Sequence, residues 1–236
     1  MPFIEKVFPF FEGMRVLEIG CGEGGNLKPF LDRGYSCTGI DLNFRQIELA
    51  HTFFDGHPYV DRLTLTSGDV FEINRNSTFD LIILRDVIEH IPNQESFIHL
   101  LKYLMSDYAV VFVGFPPWQM PFGGHQQVCT SALSKVPYIH LLPTNLYSQI
   151  MQKAGEQKQI IDELLEIKRT GITLERFERI LHTEQYLVLR KTYWLIQPNY
   201  EVKFHLKKLR VPPIFRSLPY IRNFYTTAGY YVIAKN

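Results

Sequence analysis

The sequence predicts an α/β protein built on a parallel sheet with helices on both faces. Three observations carry this. Through the first 115 residues, short runs of Val, Ile, Leu and Phe alternate with stretches of helical period. Most of these runs are near-continuously apolar, as strands buried on both faces must be. A cluster of glycines follows the first run, at the point where such a fold turns from strand into helix. With 236 residues, the chain is long enough for one sizeable core, or one domain with an insertion.

The elements follow in order. Met14–Gly20 (MRVLEIG) reads as a short buried strand. A helix is expected over about Gly25–Arg33, with Leu27, Phe30 and Leu31 on one face. Tyr35–Asp41 (YSCTGID) is a second strand, followed by a helix over about Asn43–Phe54 with Ile47, Ala50 and Phe54 at helical spacing. Arg62–Asp69 (RLTLTSGD) and Phe79–Asp86 (FDLIILRD) are the third and fourth strands. Pro92 and Asn93 open a helix that runs to Met105. Tyr108–Phe115 (YAVVFVGF) is a fifth strand. The pattern then changes. Pro116–Gln127 (PPWQMPFGGHQQ) is irregular, and Asn145–Leu181 reads as two or three helices broken near Gly155 and Gly171. Tyr186–Ile196 reads as a strand, Tyr200–Leu206 alternates as a strand that pairs with it, and Thr227–Asn236 is the last. Residues 116–185 are expected to form a helical insertion or lid within a single domain, 1–236.

Net charge is +1, so no global field argues for nucleic acid. The charge is uneven, however. From Val202 onward there is no acid, against Lys203, Lys207, Lys208, Arg210, Arg216, Arg222 and Lys235. That segment reads as a solvated basic face, or as a holder for an anionic small molecule or a membrane surface. Cys21, Cys37 and Cys129 form no CxxC pair and fit reduced thiols. No signal peptide is expected from the opening residues, and no apolar run approaches ~18 residues. A cytoplasmic protein is expected.

Function is sought in the stretch VLEIGCGEGGN, Val16–Asn26. Gly20-x-Gly22-x-x-Gly25 meets the dinucleotide fingerprint, which alone is weak. Its physics is general: glycines admit a tight turn, and the helix that follows offers free N–H groups. Asp41, ending the second strand, is placed to bind two ribose hydroxyls. Glu18 would repel a pyrophosphate but favour an ammonium or sulfonium. Asp69 can accept from an adenine amine.

VLEIGCGEGGN, GIDLN, SGDVF and FDLIILRDVIEHIPN occur in an order and spacing that resembles the class I S-adenosylmethionine-dependent methyltransferases, including the quinone-biosynthesis type. The resemblance covers about residues 14–115. It implies a Rossmann-like, doubly wound, seven-stranded sheet with the last strand antiparallel. It implies that Glu18, Gly20, Cys21, Gly22, Gly24 and Asn26 surround the methionine part of S-adenosyl-L-methionine. Asp41 and Leu42 would meet the ribose and adenine, Asp69 and Val70 the adenine edge, and Arg85 and Asp86 would lie beside the sulfonium methyl. Related quinone-biosynthesis and small-RNA-end methyltransferases carry Glu-x-x-Glu-His at the fourth strand's end and use a metal. This chain has Asp86 in the first position, with Glu89 and His90 following, and no metal is expected.

His125 lies just after the fifth strand, in a loop that lines the ligand crevice of a parallel sheet. It is a candidate general base for a hydroxyl acceptor, with His90 as a second. Trp118, Met120 and Phe122 read either as an apolar wall beside it or as anchors of the loop. The expected reaction is methyl transfer to a small-molecule acceptor, anionic if the basic segment contributes, with O-methylation favoured. The alternatives are an NAD(P)-dependent oxidoreductase, which leaves Glu18 and Asp69 unexplained, and a cofactor-binding protein that does not catalyse.

Overall fold

The computed structural model describes residues 1–73 and 77–236. The chain opens with the short helix α1 (Pro2–Glu5), then β1 (Arg15–Ile19), α2 (Lys28–Leu31), β2 (Ser36–Asp41), α3 (Phe44–Phe53), β3 (Leu63–Ser67) and β4 (Phe79–Arg85). α4 (Gln94–Leu104) leads into β5 (Met105–Phe115), and α5 (Thr144–Lys153), α6 (Lys158–Thr170) and α7 (Leu174–Thr183) precede β6 (Tyr186–Ile196). α8 (Asn199–Phe204), β7 (Leu209–Arg210), α9 (Pro213–Arg216), α10 (Arg222–Tyr225) and β8 (Ala228–Lys235) complete it.

Among the described residues, eight strands lie in one sheet, in the order β3-β2-β1-β4-β5-β8-β6-β7. The first five are mutually parallel. β8 is antiparallel and inserts between β5 and β6. The expected seven strands are present, and the eighth is the two-residue β7 on the edge. Strand order reverses between β1 and β4, and in such sheets the ligand crevice opens there, at the carboxyl ends.

Strand alternation divides the core. Val16, Leu81, Ile83, Val110 and Phe112 face Leu27, Phe30 and Ile47 on one side. Leu17, Ile82, Leu84, Val111 and Val113 face Phe97, Leu101, Phe177 and Leu181 on the other. α7 therefore belongs to the layer covering the sheet. α5 and α6 instead close a separate small core with Cys129, Ile139, Tyr147, Met151 and Leu164.

Two sequence expectations are corrected. Only Lys28–Leu31 of the helix expected over 25–33 is regular, flanked by turns. Residues 200–206 are not a strand. Pro198 takes helical angles (φ −56°, ψ −30°) and starts α8, which His205 ends in the left-handed region. Val202 is 81% and Phe204 52% exposed, so no core face reads the alternation that suggested a strand.

A buried polar clamp fixes the turn after β4. The Gln94 side-chain amide, wholly buried, donates to the carbonyls of Ile88 (3.0 Å) and Thr170 (2.6 Å). The Thr170 hydroxyl donates to the Glu89 carbonyl (2.6 Å). The turn at 88–90, the start of α4 and the end of α6 are thereby one unit. Replacing Gln94 by Leu leaves two buried carbonyls without this donor, and is expected to lower unfolding free energy by ~1–3 kcal/mol per lost partner in a urea titration.

Candidate active site

The loops after β1, β2, β3, β4 and β5 converge on the carboxyl edge. The loop after β1 is held by backbone N–H groups of Gly20 and Cys21, which donate to the Ile40 carbonyl at the end of β2 (2.8 and 3.1 Å). Gly20, Gly22 and Gly24 have φ of +69°, +51° and +79°, a region costly for other residues. At Gly20 a Cβ would also stand 2.5 Å from Val87, so the loop and the segment after β4 touch only because this residue has no side chain. Cys21 turns its side chain inward against Gly39, and burial pushes its thiol up to about 12.

Glu18 is 1% exposed. Its Oε1 accepts from the Asn26 amide (2.7 Å), and Asn26 Oδ1 in turn accepts from Arg85 (2.9 Å). This chain ties the glycine loop to the end of β4, a linkage no local sequence pattern signals. Oε2 of Glu18 has no partner among the described residues. Burial raises its carboxyl to about 8, opposed by the Asn26 hydrogen bond and the Arg85 charge. Asp41 accepts from the Gly22 N–H (2.8 Å) and the Asn43 N–H (2.8 Å), which points it along the crevice. Leu42 beside it is 75% exposed. Asp69 is exposed and caps the turn that follows through the Phe71 N–H (2.9 Å), with Val70 buried behind it.

At the end of β4, Asp86, Glu89 and His90 do not share one helical face. Asp86 sits in the left-handed region (φ 55°), and only Ile88–His90 make a tight turn. The Asp86 side chain stays 54% exposed beside Arg85 (3.9 Å), while desolvation nonetheless raises its carboxyl. Glu89 points inward, wholly buried, with neither carboxylate oxygen partnered among the described residues. Burial, and then Asp86, push its carboxyl well above the usual range.

The third member of this cluster is His125, from the loop after β5. Its Nε2 lies 4.0 Å from Glu89 Oε1, and its ring centroid lies 5.0 Å from that of His90. Ligand atoms of Glu89, His90 and His125 all lie within 4.8 Å of one another. Burial lowers both imidazoles, His125 to about 4, so both are neutral at physiological pH. The loop reaches this position through Gly123 and Gly124, where a Cβ would stand 2.3 Å from the Trp118 carbonyl and 2.2 Å from His140. His140, missed in the sequence, is buried and bonded to the Trp118 carbonyl (2.8 Å). Trp118 packs on His140 and Gly171 and so anchors the loop.

Residues 1–142 match the family described as methyltransferase domain. The chain belongs to the methyltransferase-domain family. Among similar proteins, the ubiquinone biosynthesis O-methyltransferase of Mesorhizobium japonicum is 31% identical over 104 residues, 44% of this chain and 41% of that one. The aligned part thus spans about two fifths of that relative's length. The same-named protein of Rickettsia canadensis is 21% identical over 207 residues, 86% of this chain and 80% of that one. The solved structure of the plantazolicin methyltransferase BamL, in complex with a triazolic desmethylPZN analog and SAH, has the same fold. It shows a TM-score of 0.56 and 14% identity, covering 99% of this chain and 81% of that one.

Glu18 gives the site a pH signature. Its carboxyl, raised from 4.5 to about 8, keeps a proton in the folded state that the unfolded chain loses. Stability of the free protein should therefore fall as pH rises from about 4.5 to about 8, by up to ~1.4 kcal/mol per pH unit from this group. Urea titrations across that range should show the slope in the parent and its loss in Glu18→Gln.

Proposed function

We propose that the protein methylates a hydroxyl oxygen of a small molecule, with the acceptor held between the β4 end and the loop after β5. The observation that carries this is the convergence of the glycine loop, Arg85–Asp86 and a neutral His125 on one crevice. S-adenosylmethionine fits the first part of it. Glu18 presents a buried, unpartnered oxygen suited to a cationic group. Gly25 and Gly68 have no atom within 4 Å of where a Cβ would be. Asp41 retains lone pairs for ribose hydroxyls.

Bound there, the cofactor supplies an electrophilic sulfonium methyl. Glu18, Asn26 and Arg85 hold the loop in one conformation. Asp41, Leu42, Asp69 and Val70 bind the nucleoside, and Gly20, Cys21, Gly22 and Gly24 supply backbone. His125, neutral, would accept the acceptor's hydroxyl proton as the oxygen takes the methyl group, whose bond to sulfur breaks to leave S-adenosylhomocysteine, with His90 beside it as relay or alternate base. Within residues 116–185, the part before α7 acts as the insertion that covers the acceptor and excludes water, with α5 and α6 as its body. A small molecule is favoured over nucleic acid, and O-methylation is also the reaction named for the ubiquinone relatives.

A second reading is favoured by one observation: a wholly buried carboxylate with two free oxygens beside two neutral imidazoles fits a divalent cation. Glu89, His90 and His125 would be its ligands, and it would supply charge to orient an acceptor hydroxyl. Dialysis against EDTA followed by Mg²⁺, Mn²⁺ or Zn²⁺ distinguishes the two readings. Metal-dependent turnover supports the second, and chelator-insensitive turnover supports His125 as base.

Calorimetric titration should show S-adenosylhomocysteine binding with no binding of NAD or NADP. Asp41→Ala should weaken that affinity by ~1–3 kcal/mol. His125→Ala should abolish methyl transfer while cofactor affinity is retained. Surviving turnover would remove His125 from the reaction.

A further inference from the structure

On the sheet face that carries α2, a cavity of about 490 Å³ extends from Arg85 and Asn26 under α1 to β6 and β7. Five cations line it: Lys6, Arg85, Arg190, Lys208 and Arg210, and among the described residues that line it there is no carboxylate. Lys208 has Glu201 at 3.0 Å, and Arg85 has Asp86 only at 3.9 Å. Lys6, Arg190 and Arg210 form no ion pair among the described residues. Arg190 donates to the Phe3 carbonyl (3.1 Å) and lies 4.5 Å over the Phe3 ring, and Arg210 lies 5.8 Å from the Trp194 ring centre.

The remaining walls are apolar. Phe3, Phe30, Phe112, Trp194 and Tyr230 face the cavity. Trp194 is 7% exposed, and its indole N–H has no partner among the described residues. A buried donor without an acceptor is costly unless something that binds supplies one. A guanidinium carries five donors in one plane; Arg190 gives one N–H to the Phe3 carbonyl, and the remaining donors of Arg190 and Arg210 match carboxylate and phosphate oxygens.

We propose that this cavity binds the acceptor as an amphipathic anion, its ring or chain against the aromatic wall and its carboxylate or phosphate on Arg190, Arg210 and the Trp194 N–H. That the ligand is the acceptor rests on the methyl-transfer reading, whereas the anion site itself rests on the cavity alone. The near end, at Arg85, adjoins Asp86 and the glycine loop, so a molecule anchored at the far end reaches the crevice where methyl transfer would occur. The basic C-terminal segment thereby acquires a specific use, since it contributes Lys208 and Arg210.

The test is calorimetric, on the full chain saturated with S-adenosylhomocysteine. The probes are 1-naphthoate, 1-naphthyl phosphate and the neutral 1-naphthylmethanol. At least one anion should bind about tenfold or more tightly than the alcohol, and the tighter one identifies the head group. Arg210→Gln, on an exposed strand end, and Arg190→Gln should each weaken the anion about tenfold and leave the alcohol and S-adenosylhomocysteine unchanged. Trp194→Phe, which keeps the bulk and removes the donor, should weaken the anion by about two- to tenfold.

Equal affinity for anion and alcohol would overturn the proposal. So would no anion binding at millimolar concentration, or anion affinity unchanged in both arginine variants. Displacement of the anion by S-adenosylhomocysteine would assign the cavity to the cofactor instead. Absence of S-adenosylhomocysteine binding would remove the methyl-transfer reading but not the anion site, which the same probes report on the free protein.

Discussion

The position of β4 between β1 and β5 is the constraint on which the rest of the molecule depends. Ile19 pairs with Leu84, and Arg85 with Gly114. The carboxyl ends of three strands therefore stop at one height. Each then releases a loop that cannot continue the sheet: the glycine turn, the Asp86 left-handed residue, and the proline-rich run after Phe115. Because the strands are buried on both faces, slipping any of them by one residue would exchange two hydrophobic sets for each other's layer. The register that protects the core is the same register that aligns the site.

Upon that frame the protein places carboxyl groups where water is scarce. Glu18 and Glu89 are both buried, both raised, and both left with free oxygens. A folded chain has no reason of stability to keep two such groups, since a well-packed apolar residue costs less. They face different loops. Glu18 is steadied by Asn26 and Arg85, and Glu89 by the backbone of a turn held through Gln94 and Thr170. Each is thus kept at low dielectric, where a positive group brought by a ligand, or a proton taken up by His125, is felt strongly.

The excursion after β5 couples this site to the periphery. It builds its own core from α5 and α6, yet its first turns pass through Gly123 and Gly124 against Trp118 and His140. Lys168 locks the same turns by donating to the carbonyls of His140 and Leu142 (2.6 and 2.9 Å). A single imidazole, His125, is delivered to Glu89 by packing that involves residues some fifty positions apart.

By itself the sequence determined the alternation of strands and helices, the parallel sheet, the glycine turn and its acids at the ends of β2 and β3. These are local, because near-continuous β-branched runs and glycine spacing act over a few residues. The relation to S-adenosylmethionine-dependent methyltransferases was legible for the same reason. Tertiary structure alone decided what those residues meet. Asn26 joins its neighbour Glu18 to Arg85, which lies 59 positions beyond Asn26 in the chain. Glu89 and His90 find His125 because Asp86 leaves the helical region. The alternating Tyr200–Leu206 becomes a helix because no sheet face is left to bury it. The cationic cavity brings Lys6 together with Arg210, from opposite ends of the chain. Long-range polar contacts and the burial of alternating residues depend on which surfaces remain unpaired after the core has formed, and no short stretch of sequence contains that information.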